Sequence, residues 1–293
     1  METQSVDMVT LITNTINTLF SNLFSSIDTT LYSLLDDLVF ITPDILQDSY
    51  FDKLLGSPTE GMIAIANAFI LGFILYYAIH LMLSYLTLSQ IQRPSQFILK
   101  LILFGIAMNS TAFLCEQLLF FNTTISSAIR EVGEILFSKQ ICFSSFIEEI
   151  NKNLSLGTDF NLFSFHGLLK SLVSFGLLNL VISYSLRYIL IKVFLLLCPF
   201  AILSLATDHS AWFFKAWLRS FLSLLFLQIL IAIILLICFS IDFSSQNLFS
   251  NLLFLGSIYA LIKANSILRE FIGGISTDIQ TGISSMRTFL SSK

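Results

Sequence analysis

Residues 168–206 read LLKSLVSFGLLNLVISYSLRYILIKVFLLLCPFAILSLA. Arg187 and Lys192 interrupt this apolar run, and Pro199 breaks it near its end. A helix crosses the hydrocarbon core of a bilayer in roughly 20 residues. The run is therefore too long for one ordinary crossing and tight for two. Its reading decides the topology, because one crossing and two crossings leave the C-terminus on opposite sides.

The neighbouring runs set the class. Residues 62–88, 97–121, 221–240 and 248–264 each reach or approach the length of a span. No water reaches backbone amides at that depth, so every span must be helical. Composition agrees: 55% of residues are apolar, only 12% are charged, and the mean hydropathy is +0.84. Soluble domains carry about 25% charged residues. The net charge of −4 is small and unevenly spread, which gives no nucleic-acid-binding surface. The N-terminus lacks the basic n-region and short apolar h-region of a cleavable signal. The expected fold class is all-α: a polytopic membrane protein with about five transmembrane helices plus amphipathic N-terminal and central-loop helices.

Five regions follow. In 1–60, Val9, Ile12, Ile16, Leu19, Leu23, Ile27, Leu31, Leu34 and Leu38 recur at three- and four-residue steps, the signature of one apolar helix face. Asp7, Asp28, Asp36, Asp37, Asp44, Asp48, Asp52 and Glu60 stand there against Lys53 alone. An acidic amphipathic helix does not suit an anionic cytoplasmic leaflet. The region is expected outside, packed on a partner, a neighbouring copy or its own bundle. Region 61–121 holds two spans. Region 122–167 is an extracytoplasmic loop in which Ile125, Ile129, Val132, Ile135 and Leu136 mark an amphipathic helix; Gly157 and Asn161 loosen its end. Region 168–264 holds three spans, and 265–293 is a polar tail.

Orientation follows from basic flanks. If 168–206 crosses once, its surplus lies along the inner interface. Arg93, Lys100, Lys215, Arg219, Lys263, Arg269, Arg287 and Lys293 then all fall inside. The N-terminus is outside and the C-terminus inside the cytoplasmic membrane. Arg187 lies nineteen residues past Leu168, roughly 28 Å along a helix, which predicts a guanidinium snorkelling near the inner interface.

Few residues offer chemistry. Glu116 is the only carboxylate inside an apolar run; it is a functional candidate or a group reaching the outer interface. Asn109, Ser110 and Thr111 form a polar patch suited to binding a neighbouring helix. Arg187 and Lys192 lack an acid at similar depth in their own run; they face a lumen, lipid phosphates or another subunit. His80, His166 and His209 show no metal spacing, and Cys115, Cys142, Cys198 and Cys238 form no CxxC pair. They read as small apolar side chains. Phosphate-loop, dinucleotide, nucleophile-elbow and zincin motifs are missing. No cofactor, no metal and no enzyme activity are expected. The glycosylation patterns at Asn122 and Asn153 are short enough to arise by chance.

The stretch from Arg187 to Ala206, RYILIKVFLLLCPFAILSLA, followed by Trp212–Arg219, WFFKAWLR, resembles the core of the TrbL-type polytopic membrane proteins of type IV secretion and conjugation machines. That family tends to carry an Arg, an apolar run ending in Pro and small residues, a polar turn, and an aromatic Trp-Leu collar. Arg187, Pro199 and Trp217 occupy those positions. The layout is similar over most of the chain; the motif covers about thirty residues, and the long C-terminal extensions of many relatives are missing. The resemblance implies a channel or scaffold subunit for exported DNA or protein. Its implied partners are other membrane subunits, cytoplasmic ATPases, lipid and further copies of itself. A small-molecule secondary transporter is the other reading, but its internal repeat and paired broken helices are not seen.

Overall fold

The computed structural model describes residues 34–87, 94–154, 165–241 and 248–272, with fragments at 14–15 and 18–19. The expected face of 9–31, the loop at Gly157 and Asn161, and the tail from Gly273 lie outside the described residues. Besides the helical residues 34–39, the described helices are α1 (Ser49–Leu55), α2 (Gly61–Thr87), α3 (Pro94–Asn109), α4 (Thr111–Phe137), α5 (Phe143–Leu154), α6 (Phe165–Leu203), α7 (Ala211–Phe239) and α8 (Leu248–Ile272). Short 3₁₀ turns lie at Pro43–Leu46 and Ser204–Ala206. No strand occurs among the described residues.

Three helices are long and apolar enough to cross a membrane: α2, α6 with its following turn, and α7, with mean hydropathies of 2.1, 2.5 and 3.0. The bent pair α3–α4 passes the same test only when its two helices are taken together. In α8 the apolar stretch is the shorter Leu252–Leu268.

The run 168–206 is one helix. α6 has 39 residues, about 58 Å, and Pro199 does not end it. Helix continues four residues beyond, to Leu203, before tightening into the 3₁₀ turn. The expectation of a break at Pro199 is corrected to that extent.

Two boundaries of the sequence reading move. The second span was expected to run unbroken over 97–121; instead α3 and α4 meet at Ser110 with a 63° bend. Side chains there take backbone carbonyls: Asn109 Nδ2 donates to Gly105 O at 2.8 Å, and Thr111 Oγ1 donates to Met108 O. Such local competition bends helices. Conversely, the boundary at 121/122 falls inside α4. Hydropathy drops there, but Thr123, Thr124, Ser126 and Ser127 return their hydroxyls to carbonyls three or four residues back, so the helix runs on. The boundary at 264/265 likewise falls inside α8.

α6 and α7 are the common spine of two apolar cores stacked end to end. One core takes Val173, Leu177, Leu180 and Tyr184 of α6, Leu227–Phe239 side chains of α7, α5, and α8 through Phe254, Ile258, Leu261 and Ala264. The other takes Ile191–Leu203 side chains of α6, Trp217–Leu225 side chains of α7, Ala66 of α2, Met108 of α3, and Cys115 and Leu119 of α4. Phe97 and Leu101 of α3 close the far end of that second core against Ala206. The hairpin α2–α3 is sealed by Tyr77 stacked on Phe97, centroids 3.9 Å apart, and by reciprocal Asn67–Asn109 bonds of 3.1 and 3.2 Å.

The chain enters α2 through a tight reversal. Ser57 and Glu60 exchange backbone hydrogen bonds, and the flanking Gly56 and Gly61 adopt φ of +79° and +72°. A Cβ on Gly56 would stand 2.1 Å from the Glu60 carbonyl oxygen, so only glycine fits.

Candidate functional site: a polar junction between the cores

The two cores meet between Tyr184 and Ile191 on α6 and at Phe226 on α7, and buried polar groups lie at this junction, Arg187 on α6 and Gln228 on α7. Arg187 is fully buried there. Its Nε donates to Leu224 O at 2.9 Å, and its Nη1 donates to Val39 O at 2.9 Å. Nη2 has no hydrogen-bond partner among the described residues. One turn along α7, the wholly buried Gln228 accepts from Asn122 Nδ2 at 3.0 Å and donates to Ser126 Oγ at 2.9 Å. Thr123 Oγ1 stands within hydrogen-bond distance of Ile41 O, at 3.1 Å.

Val39 and Ile41 belong to a strap, residues 34–48, that crosses the bundle at this junction. It leaves helical geometry at Phe40, so its carbonyls need partners from elsewhere. Irregular backbone buried between two cores needs hydrogen-bond partners from the protein. Arg187 supplies one to Val39, and the one hydroxyl proton of Thr123 is shared between Ile41 O and Leu119 O. Leu35 and Val39 enter one core; Ile41 and Ile45 enter the other.

Both ends of the strap are tied by carboxylates. Asp36 accepts from the backbone N–H of Phe143 at 2.8 Å and of Ser144 at 3.2 Å, and from Ser144 Oγ at 2.9 Å. It is the N-cap of α5, supplied from more than 100 residues away, at the positive end of the helix. Asp36→Ala is expected to lower stability by about 1–2 kcal/mol, and the exposed Asp37→Ala to leave it unchanged; thermal unfolding of the purified chain reads the difference. At the other end Lys192 Nζ meets Asp48 Oδ2 at 3.1 Å. That hydrogen bond, with another from the Tyr50 amide, holds the Asp48 carboxyl below its ordinary range. A carboxyl depressed in the fold stabilises fully above its unfolded value near pH 4, and the gain fades as pH falls through the lower folded value. The pair is exposed and screened, so the expected effect is small: acidification below pH 4 should raise proteolysis within the strap, and Lys192→Met should remove that dependence.

The sequence candidates thus separate. Arg187 is wholly buried in protein, so its guanidinium does not snorkel. The N-terminal half of α6 packs in the core it shares with α5 and α8. Lys192 has the acid partner that its own run could not supply. Trp217 is an internal fastener: its Nε1 donates to Phe194 O at 2.9 Å, joining α7 to α6. Pro199 is buried in the same core. Asn109 packs helices, as its patch suggested. Glu116 is exposed on α4, with no ion pair among the described residues. Asn122 is buried, which removes it as a glycosylation acceptor.

Among the described residues no His, Cys, Asp or Glu group could hold a metal. The four cysteines are free and buried. The strap, Gln228 and Ser126 escaped sequence reasoning. The signal that existed was an amide inside the apolar run 221–240, opposite another polar stretch at 122–127. Comparison with protein-family models, with curated proteins and with solved structures finds no match for this chain.

Proposed function

We propose that this chain is a channel or scaffold subunit of a type IV secretion machine, set in the cytoplasmic membrane. What supports the reading is the behaviour of the residues that carry the TrbL-like resemblance. Arg187 and Trp217 are the two side chains that fasten α6 to α7, through Leu224 O and Phe194 O. Pro199 is buried on α6, five residues beyond Phe194. A motif built this way serves a rigid membrane scaffold. The partners of the reading are other membrane subunits, cytoplasmic ATPases, further copies of the chain and the DNA or protein in transit.

The bilayer belongs around the α2–α3 layer. α2 carries no charged residue over its length, and only 11% of its apolar window is buried in the protein. Phe69, Leu71, Leu75 and Met82 of α2 and Leu99, Leu103 and Ile106 of α3 face outward. In the other layer α4 exposes Glu131 and Glu134, and Lys139 pairs with Glu149. Ionised groups on a lipid-facing surface cost several kcal/mol each. Lys215 and Arg219 lie in the first turns of α7; helical side chains lean toward the N-terminus, which carries both back to the interface at Asp208. Four segments then cross: α2, α3, the second half of α6, and the first half of α7. α8 packs only in the outer core. The basic turns at Arg93 and Lys100 and at Lys215 and Arg219 lie inside, and the N-terminus lies outside. The C-terminus joins it there, in place of the inner position expected from five spans.

The decisive experiment deletes the coding sequence from its replicon and measures transfer of a marked plasmid. Transfer should fall to background and return with the full chain supplied in trans. Pull-down in mild detergent should bring the export ATPases with it. Normal transfer, or recovery of the chain alone, would overturn the assignment.

A further inference from the structure

Three buried polar atoms lack a hydrogen-bond partner among the described residues. Asn265 Nδ2 is on α8. The other two, Arg187 Nη2 and Asn122 Oδ1, both belong to the polar junction. Their residues are 0% and 3% exposed, so bulk solvent does not serve them. Such atoms are rare, because each forfeits the hydration it had in the unfolded chain. The fold brings the two side chains together from two sides. Arg187 Nε donates to Leu224 O, and Gln228, one turn of about 5.4 Å further along α7, accepts from Asn122 Nδ2. Across the strap, Arg187 Nη1 donates to Val39 O, and Ile41 O, two residues on, meets the hydroxyl of Thr123, which follows Asn122 in α4.

The chemistry of the two atoms selects what fits between them. Ser126 Oγ donates to Thr123 O, so it accepts from Gln228 Nε2, and Gln228 Oε1 accepts from Asn122 Nδ2. What remains is an amide oxygen that only accepts and a guanidinium nitrogen that only donates. A bound anion would suit Nη2 and repel Oδ1; a bound cation would do the reverse. Water accepts from the one and donates to the other. Its second hydrogen also has a taker. Thr123 has one hydroxyl proton for Leu119 O and Ile41 O, and Leu119 O lies inside α4, where the helix supplies a backbone donor. The Ile41 carbonyl of the strap is therefore short of a full donor. Three protein partners are the usual complement of a buried water.

We propose that the junction is a binding site for one buried water, which accepts from Arg187 Nη2 and donates to Asn122 Oδ1 and Ile41 O. The water completes a relay in which every bond runs the same way: from the guanidinium through water, Asn122, Gln228 and Ser126 to the Thr123 carbonyl. Bonds aligned in this manner polarise one another in a low-dielectric interior. The site also ties the strap to α4 and α6 at a single point, where its backbone has left helical geometry.

The test joins a mutant cycle with a density map. In the unfolding equilibrium of the full-length chain in detergent, Asn122→Leu removes the acceptor and Arg187→Met the donor. Each should raise the unfolding constant about tenfold or more. Together they should raise it at least about fivefold less than the product of the two, since the one water is lost once. Asn122→Asp separates lost packing from a lost acceptor. Its carboxylate keeps an acceptor facing the guanidinium, and Gln228 can turn its amide to meet it, so it should cost at least about fivefold less than leucine. In the Arg187→Met background that advantage should vanish. A map of the parent at about 2 Å should show one peak about 2.7–3.2 Å from Nη2, Oδ1 and Ile41 O, and Asn122→Leu should lose it. Coupling below fivefold, an aspartate as costly as leucine, or direct contact of Nη2 with Oδ1 would overturn the proposal. So would no peak, or bromide density at the site after chloride is exchanged for bromide.

Discussion

Arg187→Ala is expected to destabilise the folded chain by about 3–5 kcal/mol, and Arg187→Lys by nearly as much. The guanidinium is wholly buried and serves two elements at once, with Nε on Leu224 O and Nη1 on Val39 O. Alanine leaves a cavity and strands the Val39 carbonyl at a point where the strap has no helical partner for it. Lysine keeps the buried charge but lacks the planar fork that reaches both carbonyls. Arg187→Met tests which cost dominates. It keeps most of the volume and removes the charge, so it should fall between the parent and alanine if desolvation of the cation is the larger burden. Thermal unfolding of the purified chain in detergent is the measurement, with protease cleavage between 34 and 48 reporting strap release. A shift under 1 kcal/mol for both alanine and lysine would show that the junction does not depend on this residue.

Reporter fusions at the two ends of the chain are expected to light on the same face. A periplasm-active reporter joined before Met1 and one joined after Lys293 should both be active. A fusion at 90, in the turn between α2 and α3, and one at 208, beside the Lys100–Asp208 pair, should be silent. The expectation rests on α8. Its apolar stretch of Leu252–Leu268 is short, and its buried side chains Phe254, Ile258, Leu261 and Ala264 all belong to the core remote from α2 and α3. Tyr184 Oη donates to Leu261 O at 3.1 Å, which fixes α8 beside the outer half of α6. Opposite activity at the two ends would return the fifth crossing and displace the bilayer toward the outer core.

Much of this was readable without coordinates. Helices, their approximate number and their apolar character follow from run length and from the backbone's need for internal partners in lipid. Asn109 was readable as a packing group, because an amide amid apolar neighbours seeks another helix. Orientation by basic residues is readable only once the number of crossings is known; the sequence offers five apolar runs, and three described helices, or four with the bent pair taken as one span, are long and apolar enough to cross. α8 and the N-terminal half of α6 bury apolar side chains against protein, and a hydropathy window does not distinguish protein from lipid as the apolar surroundings. The bend at Ser110 and the continuation past Phe121 were lost for a related reason. Hydroxyls and amides that bond to their own helix alter its path without altering the apolar count.

The sequence by itself determined that this is an all-helical chain with several membrane-length apolar runs, since length and polarity act locally along the chain. Only the tertiary structure decided that α6 joins two stacked cores, that Asp36 caps a helix over 100 residues away, and that Arg187 holds a strap and not a lipid headgroup. Those outcomes depend on which distant carbonyl or amide comes within 3 Å of a side chain, a distance that one-dimensional pattern does not encode.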